Sequence, residues 1–486
     1  MIKLSLTELA NAAQGKLINN NALTLSVKNL AIDSRTLIQG DAFLALKGPN
    51  FDGHRFAQQV VDNGCQVLIV DHEIDTIDNS QVVQVIVDDT RIALGKVARY
   101  VRQHVAPKTI GITGSSGKTT VKEMLSAILS RLGKVLATNG NFNNDIGVPL
   151  TLLRLSYDDD FAVIEMGANH LGEIAYTTEL VNPDVAIINN IAAAHLEGFG
   201  DLCGVARAKG EIFAGLSSDG VALYNKDTKY MSKWQWRLTD KKVRTFSCGS
   251  SDNINIDADV SSHNVILDDN GCASFDLHTP IGQCAISLII PGKHNICNAI
   301  AAASAAIECG ASLTDIKLGL AEMTPVKGRV NIHHLSKTFK LIDDTYNANV
   351  ESIKAAISLL ANYTGQRILI LGDMAELGSE TRAYHQEIGE FAKEQGIDVL
   401  LTLGVLSQHT SDAFARNNQG ISEHFSDKQA LNTYLFNLFA PLTKNTEQAI
   451  SVLVKGSRSA HMEYVVEDIM SWHGEQHRSQ TSEDNS

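Results

Sequence analysis

KTIGITGSSGKTTVKEMLSAILSRLG, residues 108–133, decides the fold. It opens on a short apolar run, KTIGIT, passes through the turn-forming GSSG, and continues from Lys118 as a helical stretch. A strand that runs through a glycine turn into a helix can cradle phosphate. Glycines let backbone N–H groups close around phosphate oxygens, and the start of the helix adds unpaired donors and a favourable dipole. Thr113, Gly114, Ser115, Ser116, Gly117, Lys118, Thr119 and Thr120 are therefore the expected contacts to ATP. Lys118 would reach the terminal phosphates and the Thr119 hydroxyl would hold Mg2+. The spacing departs from the usual G-x-x-x-x-G-K-[ST], which needs glycine where Ile112 stands; Gly111 comes one residue early and Gly114 falls inside the loop.

Strands and helices alternate on both sides of this loop. Upstream, Asp89 begins a helix with Leu94, Val97, Ala98 and Val101 on one face. Downstream, FAVIEMG, DVAIINNI and GVALYN are short apolar runs closed by Gly or Asn, as buried parallel strands are. From about 244 to 290, FSCGS, INIDADV, NVILDD, CASFDLHTP and CAISLIIPG read as hairpin-linked strands, an antiparallel extension of the core. After about residue 315 the alternation resumes with FKLIDDTY, RILILGDM, DVLLTLG and SVLVKGS, a second doubly wound unit. The expected fold is α/β with three domains. Residues 1–85 form a small α/β N-terminal domain, 86–315 a central P-loop-type parallel sheet with the antiparallel extension, and 316–472 a Rossmann-like domain. The tail, 473–486, has almost no apolar content and is expected to be disordered.

Composition narrows the function. The 486 residues are 44% hydrophobic and 20% charged, enough for several buried cores. No apolar run approaches the ~20 residues of a membrane span. The N-terminus alternates apolar and polar residues without the continuous core of a signal peptide, so the expected location is the cytoplasm. A net charge of -14 argues against sequence-independent nucleic-acid binding, which needs a basic surface. The seven cysteines contain no C-x-x-C pair and read as reduced, buried thiols.

Glu165 ends the strand FAVIEMG, where strand ends line the ligand crevice of an open α/β sheet, and His195 follows DVAIINNI in the same way. Lys209 lies 14 residues beyond His195, in AKGEIF. Taken singly they could be a surface carboxylate, a loop histidine and a solvated lysine. Beside a phosphate loop they gain weight, because Mg2+ takes hard oxygen ligands from one or two carboxylates plus phosphate.

At this point a resemblance becomes specific. TGSSGKTT, NFNNDIGVP, EMGANHLGEI, NIAAAHLEGFG, AKGEIF, PGKHNICNA, KGR, DDTYNAN, LGDMAELG and VKGSRSAHME, in order through nearly the whole chain, resemble the Mur ligase family. The nearest branch joins D-alanyl-D-alanine to UDP-N-acetylmuramoyl-tripeptide. The resemblance implies that ATP phosphorylates the tripeptide carboxylate and that the dipeptide amine attacks the acyl phosphate. It implies two Mg2+ ions, one held by Thr119 and Glu165 and the other served by His195 and a carbamylated Lys209. An ammonium cannot ligate Mg2+, whereas a carbamate supplies an anionic oxygen.

The resemblance also implies nucleotide contacts from His294, Asn295 and Asn298, from Arg329, and from Asp344, Tyr346 and Asn347 of the C-terminal domain. UDP-side contacts would come from Asp33, Ser34 and Arg35 and from Asp52, Gly53 and His54. Asn143 and Asn144 would lie near the muramoyl peptide. Lys455 and Arg458 read either as contacts to an anionic group or as a solvated basic turn. Val350 stands where the family usually has proline. A monomer without nucleic-acid or integral membrane partners is expected. The rival readings are a sister ligase adding another amino acid, for which an Arg-containing DNPR-type motif is missing, and a P-loop ATPase without ligase chemistry. Whether the third peptide residue is lysine or meso-diaminopimelate is written in no motif.

Overall fold

Three mainly parallel sheets follow one another along the chain. The computed structural model describes residues 1–18, 25–78, 80, 82–249, 257–416, 420–443 and 448–483, the last seven of these by backbone alone.

The first sheet runs in the order Lys16–Ile18, Val83–Ile86, Val67–Val70, Asp41–Leu44, Asn29–Ala31, with only its first pair antiparallel. Its central strands, VLIV and DAFL, are buried at every position, as strands covered on both faces must be. The helix Thr90–Val105 is capped by Asp89, whose carboxylate accepts from the Ile92 N–H at 3.0 Å. Leu94, Val97, Ala98 and Val101 are fully buried on its inner face. It packs against the helix Leu6–Ala13 on one side and the helices Gly147–Leu153 and Glu173–Val181 on the other, so a single hydrophobic core joins the first sheet to the second.

The second sheet carries the phosphate loop. Seven strands run parallel in the order Val135–Ala137, Phe161–Glu165, Lys108–Thr113, Val185–Ile188, Val221–Asn225, Lys242–Ser247, Val260–Leu267, followed by Cys272–Thr279 and Gly282–Pro291 as antiparallel neighbours. From Lys108–Thr113 the chain moves to one edge, returns, and crosses to Val185–Ile188 on the other side. The strand order therefore reverses at the end of the loop strand, where open α/β sheets bind ligands. The antiparallel extension is shorter than expected. Of FSCGS, Phe246 and Ser247 end the strand Lys242–Ser247, which pairs parallel on both sides, and the hairpins begin only with Val260–Leu267; Ser250 lies outside the described residues. INIDADV lies partly outside the described residues.

The third sheet has the order Asn331–His334, Phe339–Asp344, Ile450–Lys455, Gln366–Gly372, Val399–Leu403, Ile421–Phe425, antiparallel only at its first pair. The late strand Ile450–Lys455 thus sits in the middle, buried throughout.

Two expectations fail here. The helix Glu463–Glu483 continues through residues 473–483, which were expected to be disordered, while 484–486 lie outside the described residues. Its anchor is aromatic: Trp472 stacks on Phe436 with ring centroids 5.4 Å apart, and His473 meets the edge of Phe339 at 5.8 Å. The thiols are also not all reduced. Cys248 and Cys297 form a disulfide, because the end of the strand Lys242–Ser247 and the first turn of the helix His294–Glu308 bring their Cα atoms to 5.1 Å. Cys65, Cys203, Cys272, Cys284 and Cys309 are free. No helix among the described residues is long and apolar enough to cross a membrane.

Candidate active site at the phosphate loop

Ile112 is fully buried inside the loop strand, which explains the irregular spacing. Gly111 is also strand, and its missing Cβ leaves room for Met166 and Pro183 rather than for a ligand. The turn itself rests on Gly117, at φ +76°, where a side chain would run into the carboxamides of Asn298 and Asn189. The helix Lys118–Leu129 then starts with no side-chain cap, so its first N–H groups remain free for a ligand.

Neighbouring strand ends pin the loop. Thr113 Oγ1 donates to the Met166 carbonyl at 2.8 Å, and Ser115 Oγ both donates to the Ala192 carbonyl and accepts from its N–H. Asn190 Oδ1 accepts from the Ser116 N–H at 2.9 Å, while its Nδ2 donates to the Ser116 carbonyl and hydroxyl. Asn189 Nδ2 bridges the Ser116 carbonyl and Asn298 Oδ1, both at 3.0 Å. Sequence reasoning missed Asn189 and Asn190. The signal available was their place at the end of the strand beside the loop strand.

Two cavities meet at the loop. One, of about 560 Å3, is lined by Gly117, Thr120, His294, Asn295, Asn298 and Asp344, among others. The second, of about 480 Å3, includes Lys118, Thr119, Glu165, His195, Asn347 and Arg458. Ser116, Gly117, Arg329 and Ser352 belong to both walls. Asn298 donates to Asn295 Oδ1 at 2.8 Å, and Asn295 donates to the Pro291 carbonyl at 2.7 Å, which fixes both amides at the rim of the first cavity. Burial lowers the pKa of the His294 imidazole. The Arg329 guanidinium lies over the Tyr346 ring, 4.3 Å from its centroid.

In the second cavity Lys118 Nζ donates to the Gly114 carbonyl at 2.9 Å. Burial lowers its pKa, and the Glu165 carboxylate opposes that shift. Thr119 Oγ1 donates to Glu165 Oε2 at 3.0 Å, and Asn143 Nδ2 donates to Glu165 Oε1 at 2.8 Å. A hydroxyl and a carboxylate oxygen converging beside a phosphate loop fit the hard-oxygen preference of Mg2+.

Lys209, at the end of the helix Leu202–Gly210, is 1% exposed, and its Nζ has no hydrogen-bond partner. Burial first, and then the charge of Lys118, bring its pKa down to about 7. Its Nζ lies over the Phe199 ring, which His195 meets edge-on at 6.4 Å. A buried, orphaned amine with a pKa of about 7 keeps a substantial neutral fraction at neutral pH and can accept CO2, so the residue fits a carbamate.

His195 Nδ1 stands 2.5 Å from Glu376 Oε2 of the third-sheet unit, without the alignment of a linear hydrogen bond. Lys455 is no solvated turn. It is 1% exposed and its Nζ donates to Asp344 Oδ2 at 2.6 Å and to the Asn347 carbonyl at 2.9 Å. Arg458 is exposed and pairs with Glu463 at 3.1 Å.

The remaining candidates lie elsewhere. Asp33 and Arg35 form a surface ion pair at 2.7 Å, with Ser34 between them; the hydrogen bond from Arg35 holds the Asp33 pKa down at about 2. Gly53 is buried where a Cβ would strike the Leu46 backbone. His54 Nε2 accepts from the Asp71 N–H at 3.1 Å, so Nδ1 carries the proton and donates to Asp52 at 2.6 Å. Asn144 Oδ1 accepts from the Gly147 N–H at 2.8 Å, at the first residue of the helix Gly147–Leu153. None of these N-terminal residues lines the two cavities, whose walls begin at Ser115 and Ser116.

Three family models match in order: Mur ligase family, catalytic domain, at residues 26–102; Mur ligase middle domain at 112–306; and Mur ligase, glutamate ligase domain, at 328–458. The UDP-N-acetylmuramoyl-tripeptide–D-alanyl-D-alanine ligase of Escherichia coli is 47% identical over 96% of this chain and 98% of its own length. MurF from Acinetobacter baumannii superposes with a TM-score of 0.88 at 38% identity, over 96% of this chain and 99% of that one. MurF ligase from Thermotoga maritima in complex with ADP superposes at 0.81 with 25% identity, over 93% of this chain and 99% of that one. A likeness that runs through all three sheets and reaches 47% identity leaves one assignment: the chain belongs to the Mur ligase family.

Proposed function

We propose that this enzyme uses ATP to join D-alanyl-D-alanine to UDP-N-acetylmuramoyl-tripeptide, making the UDP-muramoyl-pentapeptide precursor of peptidoglycan. The carrying observation is the pair of cavities that share Ser116, Gly117 and Arg329, one suited to a nucleotide and the other lined by Lys118, Thr119, Glu165 and His195. The ligase name of the Escherichia coli relative and the ADP bound to the Thermotoga maritima one support the reading.

The loop N–H groups and Lys118 orient the ATP phosphates toward the tripeptide carboxylate, and the terminal phosphoryl group passes to it. The dipeptide amine then attacks the acyl carbon, an amide forms and phosphate leaves. His294, Asn295, Asn298, Asp344, Tyr346 and Asn347 bound the nucleotide, and Arg329 reaches both cavities. Two Mg2+ ions, when bound, supply the charge neutralisation that phosphoryl transfer needs, one at Thr119 and Glu165 and one at His195 and the Lys209 carbamate. The N-terminal unit, residues 1–85, holds the UDP group through Asp33, Ser34, Arg35, Asp52, Gly53 and His54, with Asn143 and Asn144 toward the peptide. The enzyme works in the cytoplasm as a monomer, where its soluble nucleotide substrates are found.

The test is phosphate release from ATP with both substrates present and with each omitted in turn. Release should require the tripeptide nucleotide and rise with D-alanyl-D-alanine, with pentapeptide as product. Equal release with neither partner would overturn the reading in favour of a plain ATPase.

A further inference from the structure

The loop LGDMAELG of the third-sheet unit reaches the second cavity at a point that the reaction outlined above leaves unused. Glu376 Oε2 lies 2.5 Å from His195 Nδ1. The Glu376 carbonyl accepts from the Glu197 N–H at 3.3 Å, so the contact is made by backbone as well as side chain. At Gly378, two residues on, a side chain's Cβ would come to 3.4–3.6 Å from the Leu196–Glu197 backbone. Both partners hold left-handed backbone conformations, His195 at φ 54° and Glu376 at φ 63°. Neither is glycine, and such conformations persist in side-chain-bearing residues only where their surroundings over-determine them. Two such residues, one from each unit, face each other at the cavity that holds Thr119 and Glu165.

We propose that Glu376 is a positioning residue that couples the approach of the third-sheet unit to the readiness of His195. This rests on the ligase reading above. With Nδ1–H committed to the Glu376 carboxylate, a neutral His195 keeps its lone pair on Nε2, the form that can hold a cation. When the third-sheet unit swings away the carboxylate leaves with it, and the ring is free to rotate and to exchange tautomers. The cavity is competent only when closed, which discourages ATP hydrolysis before the peptide substrates are enclosed. The imperfect alignment of the pair fits a contact that tightens in the loaded enzyme.

The test uses the full-length protein with 15N-labelled histidine, the His195 signals being assigned with His195→Gln. In the wild type His195 should show a single tautomer with the proton on Nδ1; in Glu376→Ala it should show exchange between the two. Glu376→Gln should lower kcat by roughly 10–100-fold, the range for orienting partners of a ligating histidine, with KM for ATP within about twofold. Glu376→Asp should recover part of the loss. Melting temperatures within a few degrees of wild type would show that the variants fold. An unchanged His195 tautomer in Glu376→Ala, a wild-type kcat in Glu376→Gln, or an effect on KM alone would overturn the proposal. The histidine signals need no turnover. If ligation failed but the tautomer still depended on Glu376, the ligase reading would fall and the positioning role would stand.

Discussion

Lys209 should make the protein less stable than it need be. In the unfolded chain its amine titrates at its ordinary 10.5, and in the folded protein at about 7. At ~1.4 kcal/mol per tenfold change in proton affinity, that gap corresponds to about 5 kcal/mol. The sign follows from the direction of the shift. Between the two values the unfolded chain binds the extra proton, so stability rises with pH across that window; below about 7 the full cost of a buried ammonium is present. Lys209→Met keeps an unbranched, apolar chain in the same space and removes the charge, with a repacking cost of about 1 kcal/mol. In CO2-free buffer, urea unfolding can be followed through Trp234, which is fully buried beside Gly210. At pH 6 the variant should be more stable than wild type by roughly 3–4 kcal/mol, and near pH 9.5 the advantage should fall to within about 1 kcal/mol. A wild type more stable at pH 6, or a difference independent of pH, would refute the argument and mean that the amine is paired or hydrated in the folded state. The same variant should have lost ligation, so stability and catalysis would move in opposite directions.

Lys209→Ala should abolish pentapeptide formation, and bicarbonate or formate should restore a measurable fraction by occupying the vacated anionic position, as read by product chromatography. Gly117→Ala combines a left-handed backbone with a clash against Asn298 and Asn189. It should weaken ADP binding at least tenfold by calorimetry and cost about 1–2 kcal/mol in folding. Asp344→Asn leaves Lys455 buried without its counter-charge, an uncompensated loss of roughly 3–5 kcal/mol that urea unfolding would read.

Where a function is carried by adjacent residues, the sequence displays it. The loop from Thr113 to Thr120, the buried face of the helix Thr90–Val105, and Glu165 at a strand end all follow from local spacing. What escaped is carried by residues far apart. Glu376 meets His195 across 181 positions, and nothing around either residue encodes the meeting. Asn189 and Asn190 look like ordinary strand terminators until the sheet order places them beside the loop strand. Cys248 and Cys297 have no motif spacing, and only the register of a strand end against a helix start makes them partners. The helical tail has low apolar content, which is why its sequence reads as disordered, yet Trp472 on Phe436 and His473 on Phe339 anchor its start. FSCGS was assigned to the hairpins because a short strand carries no mark of whether its neighbour will run parallel or antiparallel.

The wall shared by the two cavities has a kinetic meaning. Ser116 and Gly117 come from the second sheet's unit, while Arg329 and Ser352 come from the stretch that leads into and flanks the third sheet. On the ligase reading proposed above, closure of the two units over a nucleotide would hold it until they part. ATP would then enter an open molecule, and ADP would leave when it reopens. The rate of reopening would set a ceiling on turnover however fast the amide forms. A compound that bridged the two halves of this wall need not resemble either substrate to stop the cycle; it would only have to outlast one opening.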